Sequence, residues 1–215
     1  MVDVCARRSP GRRAGLSRQA ALETALALVD REGLKALSMR RLGGELGVEA
    51  MTLYHYVPSK DALLDGLVEQ VVAAVAPPRL DAPWQTGVRD FAHALLDALS
   101  AHPHVLPLVV SRPAITARNV RLRESTLRSL REAGFPARRA LDVLYSITSL
   151  VVGHAATTAV HDASGTEASP DLDTAQSPDL AEAIRTGPDV GADRRFDFAL
   201  EAMLSGFEAA RLSGR

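Results

Sequence analysis

The sequence predicts an all-α protein in which an N-terminal helix-turn-helix domain of three helices precedes a larger α-helical domain. Apolar residues recur at spacings of three and four along most of the 215 residues, as they do on one face of a helix. Aromatic residues make up only 4% of the chain, and no segment keeps the alternation of polar and apolar residues that marks a strand. Residues 17–58 give a helix, a short helix, a glycine turn and a second short helix, which is the order of a helix-turn-helix.

Composition limits the classes of protein to which this chain can belong. Its formal net charge is −1, so a nucleic-acid site must come from a local concentration of positive charge. Cys5 is the only cysteine, which excludes a disulfide within the chain and a cysteine-rich zinc site, and fits a reducing cytoplasm. The N-terminus is not followed by the apolar stretch of a secretion signal. We therefore expect a cytoplasmic protein of one or two domains.

The N-terminal domain is predicted over residues 17–76, behind a basic and flexible arm at residues 1–16. At the N-cap position of a helix, a side-chain hydroxyl accepts a hydrogen bond from a free backbone amide. Serines suited to this position precede the first, second and fourth helices: Ser17, Ser38 and Ser59. Gly33 suits the left-handed position after the first helix, and Gly47 suits the tight turn of the motif. These signals set the predicted ends of the helices.

A proline-rich run at residues 76–83 separates this domain from the larger helical domain at residues 84–215. A flexible loop is predicted at about residues 163–178, where Ser, Thr, Asp, Gly and Pro are frequent. The long apolar stretch from Leu141 to Val160 contains Asp142 and several hydroxyl-bearing side chains. Because such groups are rare in membrane spans, we predict a helix buried in the core or in a dimer interface, and no membrane association.

The second short helix of a helix-turn-helix lies in the major groove of DNA, so its outward side chains contact the duplex. Leu53 is predicted to point into the protein core, which leaves for DNA the side chains of Ala50, Met51, Thr52, Tyr54 and His55. Thr52 and Tyr54 can donate hydrogen bonds to phosphates. Ala50 and Met51 can contact the methyl groups of thymine.

Polar and charged residues around that helix extend the predicted surface. Ser38 and the free amides at the start of the second helix can hold one phosphate, and Lys60 can hold another. Arg40 can reach a guanine edge. The sequence does not decide between Arg40 and Arg41 for this contact, and one of the two is then a solvated surface charge. Tyr56 either packs or contacts DNA, and the arginines of the arm either contact DNA or belong to an uninvolved tail.

The same residues carry a family resemblance. The pattern Thr52-Leu53-Tyr54-x-x-Val57-x-x-Lys60-x-x-Leu63-Leu64, within LSMRRLGGELGVEAMTLYHYVPSKDALL at residues 37–64, resembles the DNA-binding domain of tetracycline-repressor (TetR) family regulators. The resemblance covers residues 17–70 and continues more weakly through Ser111-Arg112-Pro113 and Gly134-Phe135. It implies DNA contacts by Ser38, Arg40, Thr52, Tyr54, Tyr56 and Lys60, with Ala50 and Met51 at positions that set specificity. Met39, between Ser38 and Arg40, is included in the predicted DNA-binding set.

The resemblance also implies a partner and a mode of action. It implies a homodimer, formed by helices at about residues 136–162 and 193–212, that binds double-stranded operator DNA and a small molecule. We expect a repressor that a small-molecule inducer releases from its operator. Two alternatives stay open: a DNA-binding activator without a small ligand, and a helical small-molecule-binding protein that has lost DNA binding. No enzyme and no cofactor are expected, because the sequence shows neither a nucleophile elbow nor a phosphate-binding loop.

The inducer is expected in a mainly apolar cavity between helices near residues 91–115, 127–135 and 145–154. The predicted lining consists of Phe91, Leu95, Leu108, Arg112, Ile115, Leu127, Tyr145 and His154. Arg112 either neutralises an anionic ligand or caps a helix C-terminus. His154, an ionisable group in an apolar helix, must be hydrogen-bonded or line a pocket or an interface. The spacing of the histidines suits no metal, so no metal site is expected.

Two departures from the family pattern bear on function. Gly43 and Gly44 stand where helix formers are expected, at a cost of about 1 kcal/mol each relative to alanine. They either loosen the motif or permit close packing of helices. Leu108 stands where tetracycline repressors carry the histidine that binds the drug's metal ion. Tetracycline with magnesium is therefore a poor candidate for the ligand.

Overall fold

A computed structural model describes residues 16–73, 75–79, 82–112, 116–164, 177–186 and 191–213. Over these ranges the regular structure is helical and contains no strand, which confirms the predicted all-α class. The α-helices are α1 (Arg18–Glu32), α2 (Met39–Leu46), α3 (Ala50–Leu53), α4 (Lys60–Val72), α5 (Trp84–Ser100), α6 (Leu106–Ser111), α7 (Ala117–Glu132), α8 (Ala137–Ser164), α9 (Pro178–Thr186) and α10 (Ala192–Ser213). The predicted arm, except for residue 16, and most of the predicted loop at 163–178 lie outside the described residues.

The N-terminal helices begin at the predicted serine caps. The Ser17 hydroxyl accepts a hydrogen bond from the backbone amide of Ala20 at 3.1 Å. Ser38 does the same for α2 and Ser59 for α4, at 3.1 and 3.0 Å. Each cap satisfies an amide that has no partner within its helix, so the sequence signal and the helix start have the same physical cause.

The two glycines predicted to end helices adopt different backbone conformations. Gly47 has φ 67° and ψ 30°, the left-handed region that only glycine adopts at little cost. Gly33 also has a positive φ of 79°, but its ψ of 168° lies outside the left-handed helical well that the sequence predicted. Its amide still donates to the carbonyl of Val29 at 2.7 Å, so α1 ends there by a different turn.

Helix α2 lies very close to the turn that leads into α3, and one glycine makes this approach possible. A Cβ atom on Gly43 would lie 2.7 Å from the carbonyl oxygen of Val48 and 3.3 Å from the backbone nitrogen of Ala50. The Val48 amide donates to the Gly43 carbonyl at 2.9 Å. Gly44, by contrast, faces open space. Close packing therefore explains Gly43 but not Gly44.

Helix α3 is shorter than the sequence indicated. It ends at Leu53, and the amides of Tyr56 and Val57 both donate to the Leu53 carbonyl at 2.9 Å, which closes a turn. Leu53 and Val57 are buried and anchor the two ends of that turn in the core. Tyr54 and Tyr56 consequently project from a turn rather than from a helix.

The larger domain is assembled around α8. Helices α5 and α7 pack along it, and α6 and α10 also contact it. Its core-facing residues follow helical spacing, with Val143, Ile147, Val151 and Ala155 almost completely buried. The segment Ala137–His161 is long and apolar enough to cross a membrane by length and composition alone. One face of this helix is buried in the core, while Tyr145 and Val160 on it are exposed in the single chain.

Helix α10 is held to this core by Phe196. The rings of His93 on α5 and His154 on α8 lie 5.4 and 5.1 Å from the Phe196 ring, measured between centroids. An ion pair between Arg89 and Glu201 lies nearby, with its shorter contact at 2.6 Å. His154 therefore has an aromatic packing role between α8 and α10, which accounts for an ionisable residue in an apolar helix.

Candidate DNA-binding surface and ligand cavity

Helix α3 and the turn after it present side chains to solvent while Leu53 fixes them to the core. Met51 is 72% exposed, and Tyr54 and Tyr56 are also exposed. Ala50 and Thr52 are half-buried at the edge of the same surface. The apolar contacts that hold this surface are made by Leu53 and Val57 beneath it.

The two adjacent arginines of α2 have different surroundings. The Arg41 guanidinium lies 3.0 Å from a Glu32 carboxylate and 3.1 Å from that of Glu45, in a surface cluster that also contains Arg31. Arg40 is exposed and forms no ion pair within the described part of the chain. Of the two, Arg40 is thus the one whose guanidinium has no carboxylate partner among the described residues.

Two further cap regions flank this surface. Lys60 is the first residue of α4; it is exposed and has no ion pair among the described residues. The Ser38 hydroxyl oxygen accepts the amide of Arg41, and its O–H remains able to donate. Met39, which the sequence placed in the DNA-binding set, is only 7% exposed and belongs to the core cluster. Its side chain faces inward with Leu42, so the prediction that this side chain contacts DNA is corrected.

A mainly apolar cavity of about 140 Å³ lies in the larger domain, between α4, α5, α7 and α8. Its lining includes four of the predicted residues: Phe91, Leu95, Arg112 and Tyr145. Helix α4 contributes Val68 and Val72, and α7 contributes polar residues including Asn119 and Thr126, none of which the sequence analysis assigned to the site. The apolar stripe of α4 was visible in the sequence, but its pattern does not reveal that this stripe extends beyond the N-terminal domain.

The other predicted lining residues lie elsewhere. Leu108 is buried in the core next to the cavity but does not line it. Leu127 belongs to a shallow groove at the turn between α7 and α8. His154 packs on Phe196, as described above. Ile115 lies outside the described residues.

Arg112 connects the cavity to the N-terminal helices. Its guanidinium donates from Nη2 to Asp61 at 2.6 Å and from Nη1 to Asp65 at 3.0 Å. Both aspartates belong to the first two turns of α4. The hydrogen bond to Asp61, and after it the one to Asp65, raises the pKa of Arg112 above its ordinary value. Arg112 follows the end of α6, but its side chain forms an ion pair with another helix rather than capping its own.

A second contact joins the two parts of the chain at the far end of α1. His102 lies with Nδ1 at 2.9 Å from a carboxylate oxygen of Asp30, and His104 with Nδ1 at 3.0 Å from the carbonyl oxygen of Val29. Both histidines flank Pro103, so one short turn holds both contacts. Within the described ranges, no group of three His, Cys, Asp or Glu side chains is placed to hold a metal ion.

Family models match both parts of the chain. Residues 21–67 match the model of bacterial regulatory proteins of the tetR family, and residues 77–211 match that of the tetracyclin repressor-like C-terminal domain. The chain belongs to the TetR family. The second match alone spans more than half of the sequence, and it includes α8, most of α10 and every cavity-lining residue except Val68 and Val72.

Relatives and solved structures extend this likeness over nearly the whole chain. The class E tetracycline repressor protein of Escherichia coli is 30% identical over 203 residues, which are 91% of this chain and 92% of that protein. The transcriptional repressor DrrR1 of Streptomyces coeruleorubidus is 32% identical over 71% of this chain, which spans 57% of that longer protein. The TetR-family protein ActR of Streptomyces coelicolor, in complex with actinorhodin, superposes with a TM-score of 0.80 at 26% identity, over 92% of this chain and 99% of ActR.

Membership of the family settles the class of function that the sequence predicted. The protein is a ligand-responsive, DNA-binding transcriptional repressor of the TetR family. It binds operator DNA as a homodimer and responds to a small molecule. The family consists of transcriptional regulators rather than enzymes.

Proposed function

We propose that this TetR-family repressor contacts its operator through α3, the turn after it and the first residues of α2 and α4. Arg40 would contact a guanine edge, and Ala50 and Met51 the methyl groups of thymine. The observation that carries this proposal is the pairing pattern of α2, in which Arg41 is held by carboxylates while Arg40 is exposed and has no ion pair with any described residue. A free guanidinium retains all its donors for a base edge, whereas a paired one must first break its ion pairs.

The remaining polar residues of this surface are proposed to fix the protein on the DNA backbone. Thr52, Tyr54 and Tyr56 carry hydroxyls that donate to phosphates, and the Lys60 ammonium adds positive charge at the start of α4. Ser38 and the free amides of the first turn of α2 complete the set at the N-terminal end of that helix. Such contacts set the register and orientation of the protein without reading sequence.

We further propose that the inducer binds in the cavity between α4, α5, α7 and α8. Helix α4 lines the cavity with Val68 and Val72 and begins at the DNA-binding surface with Lys60. A molecule in the cavity can therefore change the position of the DNA-binding surface through this single helix, and Arg112 is the polar link along the way. Release from the operator requires that the inducer bind the DNA-incompetent arrangement more tightly, which shifts the population toward it.

The proposed assembly follows from the predicted domains. Residues 17–76 form the DNA-binding domain, and residues 84–215 form the ligand-binding and dimerisation domain. The dimer would place two copies of α3 about 34–36 Å apart, one turn of B-DNA, or a multiple of that distance. We place the protein in the cytoplasm, where its operator is, and assign it no catalytic activity.

The test is operator binding measured by fluorescence anisotropy over a series of salt concentrations. The double variant Arg40→Ala, Tyr54→Ala loses a base contact and a phosphate contact, so we expect it to bind the DNA upstream of its own gene about 100-fold more weakly than the wild type. The matched control is Arg41→Ala, because this arginine is engaged by Glu32 and Glu45. We expect the control to change affinity by less than about threefold.

Weak binding that is sensitive to salt, indifferent to sequence and equal in all three proteins would remove the proposed surface. Selection of binding fragments from genomic DNA then distinguishes a distant operator from a protein that does not recognise one. If Arg41→Ala and the double variant lose the same amount of operator affinity, the ion pairs of α2 do not determine which arginine contacts DNA.

A further inference from the structure

We infer that the inducer is a compact apolar molecule that carries one anionic group, such as a carboxylate, and that this group replaces Asp61 and Asp65 as the partner of Arg112. The inference rests on the proposed inducer cavity and adds the chemistry of the ligand to it. It also proposes how ligand binding in the cavity releases α4, which is by opening the ion pairs between Arg112 and the two aspartates of that helix.

The charge of the cavity lining points to an anion. The charged residues that line it are Arg112 and Arg123, and no carboxylate or histidine lies among the described lining residues. The other lining side chains are apolar or neutral. A ligand with a negative group is therefore favoured over a neutral or a cationic one, since a mainly apolar cavity strengthens the interaction of charges.

The two threonine hydroxyl groups of the cavity are already engaged as donors. Thr126 donates to the carbonyl of Leu122 at 2.9 Å, and Thr148 donates to that of Leu144 at 2.8 Å. Each hydroxyl is satisfied within its own helix and can only accept a further hydrogen bond. An acceptor on the ligand must therefore take its donors from other lining residues. Asn119 and Tyr145 are neutral, whereas the charged Arg112 guanidinium has five N–H groups, of which the two aspartates use two.

The aspartates make this arrangement a competition. One guanidinium and two carboxylates give the cluster a net charge of −1, so a third carboxylate is accommodated only if an aspartate withdraws. Asp61 is free to do so because its side chain is 78% exposed and water can solvate it. When the ion pairs open, α4 loses its polar link to the end of α6. By linkage, a change that weakens the hydrogen bonds of the aspartates to Arg112 must raise the affinity of the anionic ligand.

The size of the cavity limits the apolar part of the ligand. Its volume is about 140 Å³. An apolar cavity of about 150 Å³ is enough to bind benzene. We therefore choose single-ring probes without a further alkyl chain: benzoate, the neutral benzyl alcohol and the cationic benzylamine. The three share a ring and differ in the charge of one group.

The experiment is isothermal titration calorimetry, with each of the three probes titrated into the full-length dimer. We expect the benzoate to bind at least tenfold more tightly than the alcohol or the amine. Removing the competitors in Asp61→Asn, Asp65→Asn should tighten benzoate binding about fivefold and leave the alcohol within twofold. Arg112→Gln should reduce the benzoate to the affinity of the alcohol. The control Asp97→Asn, an exposed carboxylate of α5, should leave all three affinities unchanged. Circular dichroism verifies that each variant is folded.

Three results would count against this account, and they differ in what they remove. The inference that the inducer is anionic is overturned if benzoate and the alcohol bind equally, or if benzoate binding survives Arg112→Gln. In either case the cavity remains a binding site. An unchanged benzoate affinity in Asp61→Asn, Asp65→Asn overturns the competition. Failure of all three probes to bind the wild type overturns the inference together with the proposed cavity, whereas operator binding tests the DNA-binding surface separately.

Discussion

Replacing Gly43 by alanine is expected to destabilise the N-terminal domain by about 2–3 kcal/mol, the scale of an overpacked core. The new Cβ would lie 2.7 Å from the carbonyl oxygen of Val48, a backbone atom that cannot move aside as the end of a side chain can. The turn between α2 and α3 would have to open. Because that turn sets the angle of α3, operator affinity should fall together with stability.

Gly44→Ala is the matched control, one residue further along the same helix. Nothing lies within 4 Å of a Cβ at this position, and the residue is exposed. Alanine loses less backbone entropy than glycine on entering a helix, so Gly44→Ala should stabilise the protein by about 0.5–1 kcal/mol. Thermal and urea unfolding at one fixed protein concentration measure both changes, since the stability of a dimer depends on concentration. Shifts of the same sign in both variants would contradict the assignment.

The sequence predicted the helices well because their signals are local. The caps at Ser17, Ser38 and Ser59 and the turn at Gly47 depend on residues within one helical turn of each other. The stripe of α8 is likewise a matter of spacing along one helix. Met39 stands three residues before Leu42 and seven before Leu46, at the spacing of a buried stripe, so its burial is also a local signal in the sequence.

The candidate sites depended on contacts that spacing does not encode. Arg112 lies 51 residues from Asp61 and 47 from Asp65, and nothing in the local pattern of either segment indicates the other. The choice between Arg40 and Arg41 likewise rested on Glu32, which lies in α1. Long-range pairing is set by how helices dock, so the sequence predicted which residue types line a site and left their partners open.

The largest loss of stability is expected from Phe196→Ala, which should cost about 3–5 kcal/mol because it empties a site between three helices. Phe196 is 1% exposed, and His93 and His154 pack against its ring. Without the ring, α10 loses one of the three deeply buried apolar side chains in its described part, and Leu200 and Leu204 remain. Unfolding followed by circular dichroism should therefore begin at lower temperature, and dimers should be lost as a consequence.

Phe198→Ala, on the same helix, tests dimer formation separately from the stability of the folded chain. Phe198 is 78% exposed in the single chain, so the fold loses little when its ring is removed. A large aromatic side chain on an outer face of α10 is the kind of residue that contributes most to an interface. If α10 forms the predicted dimer interface, Phe198→Ala should weaken the dimer at least tenfold in sedimentation equilibrium while the thermal melt of the folded chain changes little. A variant that stays dimeric over the same dilution series would place this face of α10 outside the interface, and the helices at about residues 136–162 would then have to form the dimer by another surface.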